Sequence, residues 1–474
     1  MTAEFTGRLA EVLIREVPGL TEVRSVERLS GGASQETYRL SVVLDGQDAL
    51  LALRRAPGGE FVDPSPAHPG LSVEASLMRA AGDAGVPEPT VYYIFQRDDD
   101  LGDGFVMSWV GGEALGAKIV RSPEFESIRP QLAFECGRIL ALIHEIDLDR
   151  YGLRDQLAEM PPAVFLDQML ERYDLLDSPQ PMIDYAAEWL RDHLPNPSKL
   201  TLVHNDFRNG NFLLEPSGIS AVLDWEVAHI GDPMRDLGWI CTNSWTFGGD
   251  QPVGGFGSMG DLFAGYESVT GVPVDPDRVR FWQVFGSFWW AIGCLGMAEH
   301  YRTGPDKTVE RPAIGRRTSE CQVDCVNLLI PGPFTLLEAE PDDLADMPTV
   351  PELVQSVRDF LRDDVMNETA GRTQFLARVG GNSLDIVLRD LKVGAAHRRE
   401  EQARLSSLLN QSGSLEQLRR DLSRGIRERA IPLDSSELKA HLRQTVTNQV
   451  AIDQPKYLAS SRRSRILLKV RPIQ

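Results

Sequence analysis

Three side chains in one short stretch carry the chemistry for which this sequence can be read. Between Leu202 and Gly238 the chain runs LVHNDFRNGNFLLEPSGISAVLDWEVAHIGDPMRDLG, with Asp206, Asn211 and Asp224 as its candidate reactive groups. Two apolar runs, Phe212 to Leu214 and Ile219 to Leu223, flank the turn-forming Glu215-Pro216-Ser217-Gly218, so the spacing predicts a β-hairpin. In an antiparallel pair the start of the first strand lies beside the end of the second, about 5 Å away. Asn211 and Asp224 then face one small volume, and Asp206 enters it from the loop before. Two carboxylates and an amide oxygen suit Mg²⁺, which takes few protein ligands and keeps positions open for phosphates. Phosphoryl transfer uses this set: one Asp accepts the proton of the attacking hydroxyl, and an Asp and an Asn serve the metal. The competing reading is a hairpin edge dotted with solvated polar residues. The joint match in residue type, spacing and hairpin context weighs against it.

These groups need a frame that brings phosphates to them. Val23 to Leu29 and Glu36 to Leu44 read as strands joined by Ser30-Gly31-Gly32-Ala33-Ser34. Such a glycine-rich turn lets backbone amides approach phosphates without side-chain obstruction. Ala49 to Leu53 reads as a third strand, ending in Arg54-Arg55. After a Pro/Gly-rich loop, Leu71 to Gly82 reads as a helix with Glu74 in its first turn, a place the helix dipole also favours. Val91 to Phe95 and Phe105 to Trp109 complete a sheet. Pro130 to Ile146, Phe165 to Leu176, Met182 to Leu194, Leu262 to Val269, Pro276 to His300 and Glu310 to Leu329 show helical spacing. His144, at the end of the first of these, reads as a packing residue. Arg316 and Arg317 read as helix-surface charges. The glycine-rich stretch Trp245 to Asp261 is either a connector or an active-site lid.

Composition bounds the rest. The 474 residues call for two or three domains, and the formal charge of −20 argues against non-specific binding to nucleic acid or anionic membrane. Five cysteines without a CxxC pair read as reduced intracellular thiols, hence a cytoplasmic protein. The apolar segment from Phe281 to Ala298 is interrupted by Gln283, Ser287 and glycines and falls short of the roughly 20 apolar residues of a membrane span. Residues 331–348 form an acidic, proline-bearing linker. Beyond it, 349–455 read as an all-α bundle: a capping box at Thr349 and Glu352, then apolar stripes at Leu353, Val357 and Phe360, at Leu384, Val387 and Leu391, at Leu415, Leu418, Leu422 and Ile426, and at Leu438, Leu442 and Val446. Its expected role is docking to a protein partner or homo-oligomerisation. The tail 456–474 is basic and expected to be disordered.

His204-Asn205-Asp206 with Asn211 resembles the catalytic loop of the aminoglycoside phosphotransferase family, relatives of the protein kinases. Leu223-Asp224-Trp225-Glu226 resembles that family's metal-binding Asp segment. The resemblance covers roughly residues 20 to 330 and is strongest from 203 to 238. It implies an α+β, two-lobed protein-kinase-like fold, with an N-lobe antiparallel sheet plus helix over 1–110 and a mainly helical C-lobe over 111–330. It also implies ATP and Mg²⁺ as cofactors, with Asn211 and Asp224 on the metal. Ser30, Gly31 and Gly32 would cover the phosphates. Arg54, by register, or Arg55 stands where kinase-like folds place a phosphate-holding Lys, and Glu74 is its candidate partner. Ser108 and Val110 fall at the hinge that offers backbone groups to adenine. Asp206 takes the role of base, and Arg208 either neutralises the transferring group or is a surface cation. His204 props the loop and Asp236 braces it.

The implied reaction is phosphorylation of a hydroxyl on a small molecule. The wording Leu53-Arg54-Arg55-Ala56-Pro57 and Val203-His204-Asn205-Asp206 resembles kinase-like domains fused to acyl-CoA dehydrogenases. That places a metabolite such as a hydroxyacyl-CoA ahead of an aminoglycoside-like acceptor. The alternative is a nucleotide-binding scaffold that acts through its C-terminal helices. A protein kinase is disfavoured, because no activation segment separates Asp224 from Asp236.

Overall fold

A computed structural model of the chain describes residues 3–29, 35–61, 69–337 and 348–457. Ser30, Gly31 and Gly32, the acidic core of the linker and the tail beyond residue 457 lie outside the described residues. The chain divides into two compact units. One comprises Met1–Pro161, Asn196–Cys241 and Trp245–Trp282; the other comprises Pro162–Pro195, Thr242–Ser244 and Gln283–Gln474.

The first unit opens on helix α1 (Ala3–Glu16), followed by strands β1 (Leu20–Arg28), β2 (Glu36–Leu44) and β3 (Gln47–Arg55). Asp45 and Gly46, both at positive φ, turn β2 into β3, the chemistry a two-residue hairpin demands. Helix α2 (Leu71–Asp83), β4 (Val91–Ile94) and β5 (Gly104–Ser108) follow, and the five strands form an antiparallel sheet in the order β1-β2-β3-β5-β4. Burial along β2 alternates with period two, so one face carries Tyr38, Leu40 and Val42 into a core shared with Leu9, Val12 and Leu13 of α1. β3 is central, and Arg54 near its end pairs in register with Thr37 and Phe105.

The predicted hairpin forms from Phe212–Glu215 and Gly218–Val222. A second small sheet joins Thr201–Val203, His229–Gly231 and Glu159–Met160, and so fixes both approaches to the hairpin. The helix Arg129–His144 crosses Met259–Thr270 at close range. A methyl group on Gly137 would strike the Leu262 carbonyl and one on Gly265 the Phe134 carbonyl, so glycine at both positions sets the approach.

In the second unit, Pro181–Asp192 packs on Leu415–Arg427 and Thr318–Leu329 packs on Ser436–Asp453. Leu418, Leu422, Ile426, Leu438, Leu442 and Val446 are buried, as their spacing predicts. Ion pairs Arg427–Asp184 at 2.5 Å and Arg429–Glu188 at 2.8 Å reinforce the first of these contacts. Two expectations are corrected. The stripe of Val350–Asp359 does not enter a core: Leu353 and Val357 are 53% and 52% exposed, although the Thr349–Glu352 capping box forms. This helix is instead tied to Gly371–Arg389 through Arg358 and, just past its end, Arg362, both on Asp385. The helix expected from Glu310 to Leu329 breaks at Arg317. There Arg316 reaches the buried Asp453 at 3.0 Å and so joins two helices, while Arg317 pairs with Glu320 in the first turn of the next helix at 3.1 Å; neither is merely a surface charge. Among the described residues no helix is long and apolar enough to cross a membrane.

Candidate active site

The hairpin register brings the predicted metal-binding pair together. Phe212 opposes Val222, and the Leu223 N–H donates to the Asn211 carbonyl at 2.8 Å, extending the pairing to the hairpin's open end. Asp224 is the next residue and sits at φ +72°, a conformation in which Asp is tolerated and which clusters at functional sites.

Asp206 is gripped from three directions. Trp239 Nε1 donates to its Oδ1 at 2.8 Å, Arg208 Nε to the same oxygen at 2.9 Å, and Asn211 Nδ2 to Oδ2 at 2.6 Å. Asn211 thus spends its amide nitrogen on Asp206, which leaves its side-chain oxygen as the acceptor end. The Arg208 guanidinium lies 4.2 Å over the ring of Trp245, so this cation is stacked and ion-paired, not a loose surface charge.

Arg54 crosses from the sheet to the hairpin. Its Nη2 donates to Asp224 Oδ1 at 2.6 Å, its Nε lies 3.1 Å from Glu74, and Glu226 stands 3.6 Å away. Arg55 turns elsewhere, to Glu36 at 3.1 Å and to the Leu101 carbonyl at 2.7 Å. The structure therefore places Arg54, not Arg55, in the cluster. One guanidinium serves three carboxylates, of which Glu74 is almost wholly buried. Burial, together with the neighbouring Asp224 and Glu226, raises the Glu74 carboxyl to about 7 despite the pull of Arg54. Because this folded-state value is raised, its contribution to stability is complete below the ordinary carboxyl range and is lost as pH rises through about 7. We expect Glu74→Gln to flatten the fall in stability between pH 5 and 8 (values near the two ends of that window). Thermal melts of the ligand-free protein across this range test it; parallel pH profiles for the two proteins would refute the assignment.

The loop carrying Asp206 hangs on Asp236. The backbone N–H groups of His204 and Asn205 donate to the two Asp236 oxygens at 2.8 and 2.7 Å, and His144 Nε2 contacts Oδ2 at 3.1 Å. Burial pushes the Asp236 carboxyl up, but these hydrogen bonds hold it below its ordinary value. His204, kept neutral by burial, hydrogen-bonds through Nε2 to the Leu223 carbonyl at 3.2 Å and so links loop to hairpin. His144 does more than pack: its Nδ1 meets the Tyr266 hydroxyl at 3.0 Å.

Sequence reasoning missed several supports. Trp239 stands three residues after Asp236 on the helix Met234–Ile240, a spacing that puts both on one face, so the signal was there. Arg235 is buried and donates to Asn205 Oδ1 at 2.9 Å. Asn209 donates to the Gly254 carbonyl at 2.7 Å, tying the glycine-rich stretch to the loop. Gly255 there has φ +80° and a side chain on it would strike the Thr246 carbonyl, so the glycines build a tight knot. At the expected hinge, the Ser108 N–H is bonded to the Thr90 carbonyl at 2.8 Å and Trp109 N–H to the Leu50 carbonyl at 3.2 Å, with Ser108 half-buried at the last position of β5 and Val110 half-buried two residues on.

Comparison with known proteins agrees with this arrangement. The model of the Phosphotransferase enzyme family matches residues 25–282, and that of a Domain of unknown function (DUF6285) matches residues 367–457. Acyl-CoA dehydrogenase family member 10 of Mus musculus is 28% identical over 219 residues, 44% of this chain and 19% of its own length. Acyl-CoA dehydrogenase family member 11 of Gallus gallus is 29% identical over 245 residues, 49% of this chain and 30% of its own length. The chain thus spans only a minor part of these relatives. A crystal structure from Ralstonia eutropha, assigned as an aminoglycoside phosphotransferase, shares the fold with a TM-score of 0.56 at 22% identity, over 68% of this chain and 97% of that one. With a kinase-like sheet, hairpin and aspartate loop in place and more than half its length matched by the family model, this chain belongs to the phosphotransferase enzyme family.

Proposed function

We propose that the protein transfers the γ-phosphoryl group of ATP to a hydroxyl of a small molecule. The observation that carries this reading is that the hydrogen-bonded pairs Asp206–Asn211 and Arg54–Asp224 stand at the open end of one hairpin, where the Leu223 N–H donates to the Asn211 carbonyl. Asp206 accepts the proton of the attacking hydroxyl. Trp239 and Asn211 fix its rotamer, so the carboxylate is aimed before substrate arrives. Arg54, anchored by Glu74, holds phosphate oxygens, and Arg208 balances negative charge beside the base. The Asp224 carboxylate and the Asn211 amide oxygen form a hard-oxygen donor pair that fits Mg²⁺, which when bound would neutralise charge on the phosphates. Ser30, Gly31 and Gly32 are proposed to cover the phosphates, and the backbone at Ser108 and Val110 to meet adenine.

For the acceptor we propose a metabolite such as a hydroxyacyl-CoA, with an aminoglycoside-like compound as the competing class. The test is ADP release, with Mg²⁺ and ATP, across hydroxyacyl-CoAs, aminoglycosides, macrolides, sugars and amino alcohols. Turnover dependent on one acceptor class supports the reading. Nucleotide binding without transfer to any acceptor would overturn it in favour of a scaffold.

Trp239→Phe tests the aiming of Asp206. It replaces the buried indole by a smaller aromatic ring and deletes the donor to a carboxylate, a bond worth about 1.5–3 kcal/mol. We expect kcat to fall by roughly tenfold or more with little change in KM for ATP. Unchanged kcat would show that Trp239 does not position the base.

A further inference from the structure

A cavity of about 270 Å³ lies within the second unit, remote in sequence from the aspartate cluster. One wall is polar: Arg389, Lys392 and His397 from one continuous run of helix, and Asn448 from Ser436–Asp453. The other is apolar: Leu336, Leu337, Val393, Ala451 and Ile452. Among the described residues no carboxylate lines it. We propose that this cavity binds a small organic anion, a monocarboxylate with a short apolar tail.

Three independent observations point to a ligand. First, the cavity's buried polar groups lack partners. Asn448 is 4% exposed, and its Oδ1 accepts from Gln444 at 3.2 Å while its Nδ2 has no hydrogen-bond partner. His397 is 1% exposed with neither ring nitrogen hydrogen-bonded. A buried donor left unmade costs about 1–3 kcal/mol, so two such residues on one cavity mark a place where an acceptor belongs. Second, the charge is one-sided. The nearest acid to His397 is Glu401 at 3.9 Å, and Arg419 grips that carboxylate through two bonds of 2.7 and 2.6 Å. Asp390 is likewise taken by Arg398 at 3.0 Å. Arg389 is spent on the Ile452 and Asp453 carbonyls at the end of its neighbouring helix, and Lys392 remains as an exposed cation at the cavity. Third, the helix widens into a π turn at Asp390–Gly394, the segment that presents Lys392 and Val393 to the cavity. Such bulges are rare and frequent at functional sites.

The chemistry of the two walls selects the ligand. Lys392, Asn448 and His397 donate to a carboxylate, and the five apolar residues cover a tail of a few carbons. A cation is rejected by Lys392 and Arg389, and a neutral alcohol leaves the lysine uncompensated.

The test uses the full chain. Titration calorimetry and thermal shift with hexanoate, hexanol and hexylamine should show saturable binding of hexanoate alone. Lys392→Ala, at an exposed position that does not endanger folding, should weaken hexanoate at least about tenfold, the loss of one charge-assisted bond. Asn448→Ala should do the same. The acidic residues Glu338, Glu340, Asp342 and Asp343 follow Leu337 in sequence and could supply a carboxylate from the chain itself. A variant with these four replaced by serine should bind hexanoate as tightly as the parent or more so. Absence of saturable hexanoate binding in both parent and serine variant, equal binding of hexylamine, or indifference to Lys392→Ala would each overturn the proposal.

Discussion

Asp206→Ala is expected to lower kcat for phosphoryl transfer by roughly 10³-fold, within the range a positioned general base contributes. The side chain is the focus of bonds from the buried Trp239 and Asn211 and the partly exposed Arg208, and truncation removes the proton acceptor. Asp206 is itself only partly buried, so the fold should survive. The measurement is single-turnover transfer to the acceptor found by the ADP-release screen, beside a thermal melt of the same preparation. Near wild-type turnover in a folded variant would remove Asp206 from the mechanism. Loss of turnover with a melt lowered by more than about 10 °C would instead mark Asp206 as structural, since several kcal/mol would then be involved.

Asp236→Ala should produce the opposite pattern, a large stability loss. The carboxylate is fully buried and accepts from two backbone N–H groups and from His144. Deleting it strands two buried donors in the loop that carries Asp206 and unpairs His144. The expected cost is about 3–5 kcal/mol, or on the order of 10 °C in the transition of the first unit. Asp236→Asn, which keeps the volume and one acceptor, should recover part of it. Because the folded Asp236 carboxyl is held below its ordinary value, its stabilisation is present above the ordinary Asp range and is lost as pH falls through the folded value. A melt for Asp236→Ala within about 2 °C of the parent would show that the loop is held by other means.

The two variants separate what the aspartates do. Both lie on elements that converge at the hairpin, yet one faces the open cluster and the other faces inward. Measured together, they distinguish a reaction group from the post on which the reaction group hangs.

Much of this arrangement was readable from residue order, and for physical reasons. A hairpin is local: its turn residues and alternating apolar runs are contiguous, so the register that joins Asn211 to Asp224 follows from spacing. The Asp45-Gly46 turn is similarly local, whereas the central place of β3 depends on its pairing with the distant β5. The stripes at Leu418 to Ile426 and Leu438 to Val446 have helical period and are buried accordingly. Where periodicity alone decided, it erred. Val350–Asp359 has an apolar face as regular as theirs, but which face meets a neighbour depends on what else is packed nearby, and this one lies open.

Register favours Arg54 over Arg55 and offers Glu74 as its partner, but the tertiary structure decided the remaining partners of the charged groups. Strand pleat sends the two arginines to opposite faces, and only the packed sheet shows that Arg54 also meets Asp224 while Arg55 meets Glu36. His144, Trp239 and Asn209 became parts of the site because distant segments return to one place, a long-range event that a side chain's type does not encode. The same holds for the cavity of Lys392, His397 and Asn448, whose walls come from chain segments more than 100 residues apart, Leu336 and Asn448 among them. The sequence by itself pointed to a phosphotransferase, because the residues proposed to carry the reaction lie mostly within one short stretch. The folded chain determined which groups aim them, since aiming requires contacts between residues that the chain order keeps apart.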